Sequence, residues 1–375
     1  MVRRALAFVA CSLVLLSPGC GAHGDDAPSG SETRARPRAG GRTETPAAPR
    51  PLFGRNRQIM GTVFSIQVDA PEDVAEPAIA AAFDEIARLE DVLSEWRPTS
   101  EISAINTAAG DHPVAIGADT LEVVRAGLET SRESQGAFDL SWAALRGLYD
   151  FGPGSHDDPD PREIRRRLRF VSYRDIVLDE TAGTVYLRRR GMQIGTGGIA
   201  KGYALDRAGS ILEAAGIRSY MLFGGGQVQV HGMRGDRPWR VGIQHPREPE
   251  EYFAFLEASD VSISTSGDYE HFYFDPAGQR IHHIIDTRTG LPSRGALSVT
   301  LITRDGIHAD ALSTAVFVLG VERGLALLAQ LPFHAEAVIV GPDCVLHATP
   351  GTADRLRFRM PPDANGVLPR CVGRP

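Results

Sequence analysis

The chain has 375 residues, enough for one large domain or two ordinary ones, and its 42% hydrophobic and 23% charged residues are typical of a globular protein with a sizeable core. The formal charge of -7 at pH 7 provides no general basic surface, so we expect no nucleic-acid partner.

The first 20 residues are predicted to be an export signal. Two arginines precede an apolar run at residues 5–16 that is too short for a confident transmembrane span. The segment ending at Cys20 resembles a bacterial lipoprotein signal, in which this cysteine is lipidated. Leu16 lies one place further from Cys20 than usual and Pro18 is atypical, so ordinary cleavage to a soluble periplasmic protein is the alternative. We expect an exported, membrane-anchored lipoprotein that faces the periplasm.

Residues 21–50 are predicted to be a flexible tether, because small, polar and proline residues dominate and large apolar residues are almost absent. A folded domain is therefore expected over residues 51–375. Cys344 and Cys371 lie in this domain. In an oxidising compartment they could pair, and two buried or free thiols fit the sequence equally well.

The domain begins with a strand pattern followed by a helix pattern. Residues 60–68 alternate and are rich in β-branched side chains, which predicts a strand. Apolar residues between Ile79 and Leu93 recur at helical spacing. The polar loop that follows carries Trp96, whose indole belongs either in the core, which the sequence favours, or against a planar ring.

The middle of the chain predicts two helical pieces and a hairpin. Residues 121–128 have helical spacing, with Asp119 or Thr120 as the N-cap. Residues 164–168 form a basic helical piece, most simply a solvated face. The apolar runs of residues 176–187 are separated by a turn, which is typical of a hairpin.

The most distinctive stretch is IGTGGIAKGYALD at residues 194–206. A β-like run at 192–194 meets a glycine-dense turn, and a helix is predicted to follow, with Gly216 as its C′ residue. Glycines allow close approach of a ligand, and the N–H groups that open the helix, with Lys201 in its first turn, suit an anion such as a diphosphate. A tight connection with a solvated lysine is an equally weighted alternative.

The second half predicts several strands, at residues 220–223, 227–230, 239–243 and 338–340. The hydroxyl-rich segment 262–269 could hold phosphate oxygens, with Ser266 as a contact, or could form a turn. A hairpin is predicted from residues 269–274 and 280–285, and it delivers His283 and Asp286 into the next turn.

A long apolar helix is predicted to begin near His308. Asp310 and Thr314 lie four residues apart, so their oxygens share one helix face. Such a pair suits a hard cation such as Mg²⁺. Interaction of the aspartate with the helix dipole, and of the threonine with the backbone, is the alternative that these residues alone favour.

Strands and helices are interspersed, with hairpin signals and no regular βαβ units. This pattern predicts an α+β fold with a mainly antiparallel sheet and helices packed around it.

Seven sequence blocks, taken in order, resemble the ApbE family of FAD:protein FMN transferases over about residues 60–320. The blocks are MGT at 60–62, SEIS at 100–103, GAFD at 136–139, the glycine turn and helix at 197–206, TSGDY at 265–269, HIID with TG at 283–290, and ADALSTA at 309–315. Each block is weak alone, whereas the ordered set is specific and reverses the odds for the glycine turn and the Asp310/Thr314 pair.

The resemblance implies an ApbE-like fold and an exported, often lipid-anchored enzyme. Such enzymes bind FAD, use Mg²⁺ and attach FMN to a Ser or Thr of a partner protein, here an exported or membrane redox protein, with release of AMP. The positions that would line the FAD site are Met60, Trp96, Ala137, Phe138, Asp139, Lys201 and Ile284. Gly198, through its carbonyl, Asp310 and Thr314 would hold the metal. His283 would lie close to the diphosphate, and either His283 or Asp286 would act as the base.

Some positions depart from the family pattern. Gly195 stands where the family usually has a flavin-site aspartate, and Thr196 replaces a leucine. Gln227 follows a glycine run, and the family commonly has an Asn or Asp and a further Asp around these glycines, which are missing here. Leu140 and Ser141 replace the Pro and Thr of the family. Two alternatives therefore stay open beside the transferase: a Mg²⁺-dependent FAD diphosphatase and a non-catalytic flavin-binding lipoprotein.

Overall fold

The computed structural model describes residues 51–152, 154 and 158–373. The predicted signal at residues 1–20 and the predicted tether at 21–50 lie outside these residues and stay predictions. Across the described ranges, no helix has the length and apolar character needed to cross a membrane.

The helices follow most of the predicted helical segments. They are α1 (Glu72–Leu93), α2 (Glu101–Thr107), α3 (Ala118–Glu133), α4 (Pro161–Leu168), α5 (Ala200–Ala214), α6 (Gly306–Leu319), α7 (Val321–Leu328) and α8 (Pro350–Ala353), with 3₁₀ turns at Leu140–Leu145 and Tyr173–Asp175. Gly216 follows the end of α5 with a φ of +85°, so its predicted C′ role is confirmed.

The strands include all the predicted hairpins. They are β1 (Phe53–Ile59), β2 (Thr62–Val68), β3 (Val114–Ala115), β4 (Ile176–Asp179), β5 (Thr184–Leu187), β6 (Tyr220–Gly224), β7 (Gln227–His231), β8 (Trp239–His245), β9 (Glu248–Ala258), β10 (Val261–Gly267), β11 (Phe272–Phe274), β12 (Arg280–His282), β13 (Ile285–Asp286), β14 (Leu291–Pro292), β15 (Ser298–Thr303), β16 (Glu336–Val340), β17 (Leu346–Ala348) and β18 (Leu356–Phe358).

Eight strands form one large sheet in the order β1-β2-β6-β7-β10-β15-β16-β17. Every neighbouring pair in it is antiparallel. Smaller antiparallel sheets have the orders β18-β9-β8, β3-β5-β4, β11-β12 and β13-β14. The predicted α+β class with a mainly antiparallel sheet is confirmed.

The two faces of the large sheet pack into different hydrophobic clusters. Adjacent side chains of a strand point to opposite faces. In β15, Leu301 joins the cluster that contains α1, α5 and α6, whereas Ile302 joins the cluster that contains β8 and β9. The helices therefore cover one face of the large sheet, and the β18-β9-β8 sheet lies on the other face.

Helices α5 and α6 approach closely at a pair of glycines. A Cβ atom added to Gly202 would lie 1.9 Å from the carbonyl oxygen of Gly306. Because no side chain fits there, Gly202 allows α5 to lie directly against α6, the helix that carries Asp310 and Thr314.

We expect Gly202→Ala to lower the free energy of unfolding by at least ~2 kcal/mol, because the added methyl group would collide with a backbone carbonyl rather than a flexible side chain. Urea unfolding followed by circular dichroism measures the change. Ser210→Ala, at an exposed position of the same helix, is the matched control. Equal midpoints for the two variants would contradict the close helix contact.

A disulfide joins Cys344 to Cys371, with a Cα–Cα distance of 5.8 Å and a sequence separation of 27. Both residues are buried in the cluster beneath β8 and β9. Of the two possibilities that the sequence left open, the structure has the paired one.

Removing this disulfide is expected to destabilise the domain by about 2–4 kcal/mol, because the bond restricts a loop of moderate length in the unfolded chain. The test is denaturant unfolding of the Cys344→Ser/Cys371→Ser double variant, which leaves no free thiol at this site. If reducing agent shifted the unfolding midpoint of the double variant as much as that of the wild type, the effect would have another origin.

Three local predictions are wrong at their boundaries. Residues 192–194 form no strand, because the side-chain amide of Asn106 binds the N–H and the carbonyl of Ile194, at 2.7 and 2.9 Å. Helix α3 begins before the predicted cap, since the Glu101 carboxylate binds the N–H of Gly117 and leaves Asp119 in the first turn. The strand predicted from residue 60 begins at Thr62, because the two preceding residues form a hairpin turn with positive φ.

Candidate functional site

Asp310 lies at the contact between α5, α6 and the large sheet. It is 4% exposed. Its Oδ2 accepts a hydrogen bond from the N–H of Gly202 at 3.0 Å, and its Oδ1 accepts one from Nε2 of Gln227 at 2.7 Å. Among the described residues, no arginine, lysine or histidine forms an ion pair with Asp310, so this fixed, buried carboxylate is not paired with a cationic side chain.

Thr314 lies one helical turn after Asp310 and faces the glycine turn. A Cβ atom added to Gly198 would lie 3.6 Å from Oγ1 of Thr314 and 3.3 Å from the ring of Phe138. The structure therefore brings together the three residues proposed as metal ligands, one from the glycine turn and two from α6.

Hydroxyl groups extend this oxygen-rich region along β10. Oγ of Ser266 lies 2.8 Å from Oγ of Ser313 and 3.5 Å from Oγ1 of Thr314. Oγ of Ser264 lies 2.9 Å from the same Ser313 oxygen. The helix-facing side of β10, which would ordinarily be apolar, is thus lined with hydroxyls.

The donor chemistry fits Mg²⁺. One carboxylate, one threonine hydroxyl and one backbone carbonyl are hard oxygen ligands, and Mg²⁺ commonly completes its octahedron with phosphate and water oxygens. Burial raises the pKa of Asp310, and the charge of Lys201 opposes that rise. A divalent cation beside the carboxylate would stabilise its ionised form.

The first turn of α5 does not bind a ligand in the way the sequence suggested. The N–H of Gly202 binds the Asp310 carboxylate, and the N–H of Ala200 binds the carbonyl of Thr196 at 2.9 Å. The anion at this end of the helix is therefore the protein's own carboxylate. The prediction that these N–H groups receive a diphosphate is wrong, because Asp310 occupies the N–H of Gly202 and the Thr196 carbonyl occupies the N–H of Ala200.

Lys201 contributes its side chain instead. Its Nζ donates to the carbonyl of Gly197 at 2.6 Å, and its Cδ lies 3.1 Å from a Cβ added to Gly225. The ammonium group is therefore held beside the glycine turn, one residue before the Gly198 carbonyl.

His283 lies just after β12 on the surface of this region, and its ring centroid lies 5.3 Å from that of His271. Although His283 is exposed at the surface, the atoms packed around its ring desolvate it and lower its pKa, and the imidazoles of His271 and His282 and the ammonium of Lys201 lower the pKa further. These effects favour the neutral imidazole, whose unprotonated nitrogen can accept a proton.

Asp286 is engaged elsewhere. Its two carboxylate oxygens accept hydrogen bonds from Nε and Nη2 of Arg288, at 2.8 and 2.7 Å. Because this two-point ion pair occupies both oxygens, the geometry favours His283 over Asp286 as the base.

In the GAFD block, Ala137 and Phe138 are buried and Asp139 stabilises the local backbone. Ala137, Phe138 and Ile284 are all at most 6% exposed. The carboxylate of Asp139 accepts hydrogen bonds from the N–H groups of Ser141 and Tyr173, each at 2.8 Å. Asp139 therefore fixes the loop that carries Phe138, with both its oxygens bound within the protein.

Other contacts join the remaining blocks. The hydroxyl of Thr287 donates to the carbonyl of Gly136, which connects the HIID segment to the GAFD segment. Met60 lies in the β1–β2 turn with a φ of +51°, and its neighbour Thr62 reaches within 3.0 Å of a Cβ added to Gly225. These contacts join the MGT, GAFD and HIID blocks to the region around the glycine turn.

Trp96 is 71% exposed, so the prediction that favoured the core is wrong. The guanidinium carbon of Arg146 lies 4.3 Å from the centroid of its ring. One face of the indole is covered by this cation.

Two of the departures from the family pattern have structural partners. A Cβ at Gly195 would lie 2.9 Å from Nε1 of Trp142, so the indole takes the space that a side chain would need. Gln227 donates to both Asp310 and Ser264 and thereby holds the buried carboxylate in place.

Sequence reasoning gave no role to Asp206, the last residue of the glycine-turn block. Its two oxygens accept hydrogen bonds from the N–H groups of Gly306 and Ile307, at 2.6 and 2.9 Å. Asp206 therefore joins α5 to the start of α6. Its place in that block could have indicated that Asp206 has a role, but not that the role is structural.

Burial raises the pKa of Asp206 to about 7, above its ordinary value of 3.8. Between these values the folded state binds more protons than the unfolded chain, so this group's contribution to stability falls as pH rises through that window. We expect the fall in unfolding free energy from pH 5 to pH 8 to be smaller in Asp206→Asn than in the wild type. Urea unfolding at both pH values measures it, and identical falls would contradict this assignment.

A separate surface cleft of about 320 Å³ has arginines and glutamates in its wall. Its lining residues are Arg125, Leu128, Glu129, Arg132, Arg174, Ile176, Val177, Leu178, Glu180 and Arg188. None of them belongs to the region described above, where the oxygen ligands lie, so the cleft is not the candidate site.

A buried carboxylate, several hydroxyls, a lysine and a glycine turn together define a site suited to a phosphorylated ligand and a hard cation. This is the class of site expected in an enzyme that handles phosphate esters.

The chain belongs to the ApbE family, whose model matches residues 60–339. A relative from Klebsiella pneumoniae named FAD:protein FMN transferase is 35% identical over 286 residues, which cover 76% of this chain and 87% of the relative. A relative of the same name from Treponema pallidum is 33% identical over 338 residues, covering 85% of this chain and 91% of the relative.

Solved structures of similar proteins share the fold. The crystal structure of the ApbE protein from Thermotoga maritima matches with a TM-score of 0.74 and 28% identity, covering 82% of this chain and all of that one. The flavin transferase ApbE from Vibrio cholerae matches with a TM-score of 0.72 and 26% identity, covering 81% of this chain and 100% of that one.

Proposed function

We propose that this protein transfers FMN from FAD to a Ser or Thr hydroxyl of an acceptor protein, with release of AMP and dependence on Mg²⁺. Family membership and the names of the relatives support the transferase activity. The observation that carries the proposal is the convergence of Asp310, Thr314 and Gly198 beside the Lys201 ammonium.

The chain's own residues account for most of what the reaction needs. Asp310, Thr314 and the Gly198 carbonyl would hold Mg²⁺, which would neutralise charge on the diphosphate of FAD. Lys201, held by the Gly197 carbonyl, adds a positive charge at the same edge. Phosphoryl transfer depends mainly on such charge stabilisation and on alignment of the reacting groups.

His283 is the proposed base. Its neutral imidazole accepts the proton of the acceptor hydroxyl as the hydroxyl oxygen bonds to the phosphorus on the FMN side. The bond between that phosphorus and the bridging oxygen breaks, and the oxygen leaves with AMP. The products are a phosphoester-linked FMN on the acceptor and free AMP.

We also propose that the enzyme acts at the periplasmic side of a membrane, anchored through lipidated Cys20, on an exported or membrane redox protein. The support is the signal pattern and the low-complexity segment that follows it. Metabolic labelling with palmitate, compared between wild type and Cys20→Ser, tests the anchor. Equal labelling would contradict it.

The proposed activity is tested with purified protein, FAD and Mg²⁺, with and without a membrane fraction from cells lacking the enzyme. We expect AMP release with Mg²⁺, and flavin fluorescence that stays on an acceptor band after denaturation. Free FMN and AMP without acceptor labelling would indicate a diphosphatase. Tight FAD binding without AMP would indicate a binding protein, and either result would contradict the transferase.

A further inference from the structure

Next to the candidate site, a buried carboxylate pairs with a partly exposed arginine, and neither has a part in the reaction described above. The side chain of Glu95 is 5% exposed, and its Oε1 lies 3.0 Å from Nη2 of Arg146, whose side chain is 21% exposed. A carboxylate this far from water needs a partner, because the cost of desolvating an unpaired charge is large. The two partners come from different segments, the loop after α1 and the end of the first 3₁₀ turn.

Glu95 holds the glycine turn through its other oxygen. Oε2 accepts a hydrogen bond from the N–H of Thr196 at 2.7 Å and lies 3.1 Å from the Thr196 hydroxyl. That hydroxyl also donates to the carbonyl of Leu93 at 2.6 Å. Thr196 is 2% exposed and lies two residues before Gly198. A change at Glu95 would therefore displace the carbonyl proposed as a metal ligand.

Arg146, which pairs with Glu95, also contacts an exposed aromatic ring. Its guanidinium carbon lies 4.3 Å from the ring centroid of Trp96 and 5.7 Å from that of Trp142. The cation thus lies against one face of an indole that is 71% exposed. A large aromatic side chain with this exposure, supported from one side, presents a flat surface on which a planar ring can stack.

Trp142 completes the arrangement at the turn itself. Its Nε1 donates to the carbonyl of Gly195 at 3.2 Å, and its ring lies where a side chain at Gly195 would project. One carboxylate and one guanidinium therefore set both the backbone of the glycine turn and the orientation of Trp96.

We propose that Glu95 and Arg146 are positioning residues for FAD: Glu95 fixes the glycine turn through Thr196 and holds Arg146 under Trp96, whose open face stacks on one of the two planar rings of the dinucleotide. This inference rests on the proposed function, since it takes FAD as the ligand. Neither residue moves a proton or contacts the reacting phosphorus.

The test measures FAD binding rather than turnover, so it is separable from the transferase assay. Dissociation constants are obtained by isothermal titration calorimetry for the wild type, Glu95→Gln, Arg146→Gln and the double variant. We expect each single change to weaken FAD binding about tenfold, and the double variant to be no weaker than either single one, because the two residues act as one unit. Additive losses, or no loss in a folded Glu95→Gln protein, would overturn the proposal.

A second ion pair provides the matched control. Glu122 and Arg125 form a solvent-accessible pair on α3, so Glu122→Gln should leave FAD binding unchanged.

Stacking on Trp96 is tested with Trp96→Ala. Because this position is exposed, the substitution does not threaten folding; it should weaken FAD binding by the same factor of about ten and remove the fluorescence quenching that stacking produces. If Glu95→Gln fails to fold, Arg146→Lys replaces it, because it keeps the charge but loses the planar group and should weaken FAD binding severalfold.

The stacked ring is identified by comparing FMN with AMP. Trp96→Ala should weaken binding of one of these two ligands and spare the other, whereas Glu95→Gln also moves the glycine turn and should weaken at least the ligand that Trp96→Ala affects. Equal weakening of both ligands by Trp96→Ala would mean that the indole stacks on neither ring and would overturn the stacking role. Wild-type protein that binds FAD without releasing AMP would contradict the proposed function and leave this test intact.

Discussion

Replacing Asp310 by asparagine is expected to reduce Mg²⁺-dependent AMP release from FAD by about a thousandfold or more. The substitution keeps the shape of the side chain and removes the one carboxylate charge among the proposed metal ligands. Loss of several kcal/mol of charge stabilisation at a developing phosphate corresponds to at least three powers of ten in rate. The rate is measured by chromatographic detection of AMP, and Mg²⁺ binding is measured separately by calorimetry.

Thr314 provides a graded comparison. Thr314→Val removes one neutral ligand and should reduce the rate by a smaller factor, on the order of ten- to a hundredfold. Thr300→Val is the control, because it makes the same change at a buried threonine whose hydroxyl pairs with Thr265 and with no residue of the site. An Asp310→Asn protein that is folded, binds Mg²⁺ as the wild type does and releases AMP at the wild-type rate would contradict the metal site.

Replacing His283 by asparagine is expected to lower the rate of transfer to a protein hydroxyl by about a hundredfold to ten-thousandfold, the range typical of a positioned general base. Because the pKa of His283 is lowered, the ring is already deprotonated at neutral pH, and the wild-type rate should not rise with pH above neutrality through this group. The measurement is acceptor labelling at saturating FAD and Mg²⁺ over a range of pH.

Asp286→Asn serves as the comparison for His283. Its carboxylate is occupied by Arg288, so the substitution should change the transfer rate far less than His283→Asn does. A reversed order, with the larger loss at Asp286, would assign the base to the carboxylate and contradict the geometric argument.

The parts of the fold that could be predicted from the sequence are those fixed by local patterns. The alternation of β2, the amphipathic spacing of α1 and the turn between β4 and β5 each depend on residues close together in the chain. The helical period also places the side chains of Asp310 and Thr314 on one face, but these residues alone favoured the helix-dipole alternative, and their metal role was implied by the family resemblance.

The parts that could not be predicted depend on partners far apart in the sequence. The Asp310 carboxylate binds the N–H of Gly202 across 108 residues, so this N–H is not available to the diphosphate that the sequence predicted there. Glu95 reaches Thr196 across 101 residues. The cation that covers Trp96 comes from Arg146, in a segment that local spacing could not assign to the loop of Trp96.

Asp206 and Asp139 show a related limit. Both carboxylates lie in blocks that carry the family resemblance, yet both bind backbone N–H groups of other segments and stabilise the fold around the site. A residue's presence in a functional block does not distinguish a ligand contact from an anchor, because both need the same polar side chain.

The most direct test is anomalous diffraction from crystals grown with FAD and Mn²⁺, which takes the place of Mg²⁺ at oxygen-ligand sites. We expect an anomalous peak about 2 Å from a carboxylate oxygen of Asp310 and from Oγ1 of Thr314, with a diphosphate oxygen of FAD among the remaining ligands. A peak elsewhere in the protein, with FAD bound and Asp310 still held only by Gly202 and Gln227, would contradict it.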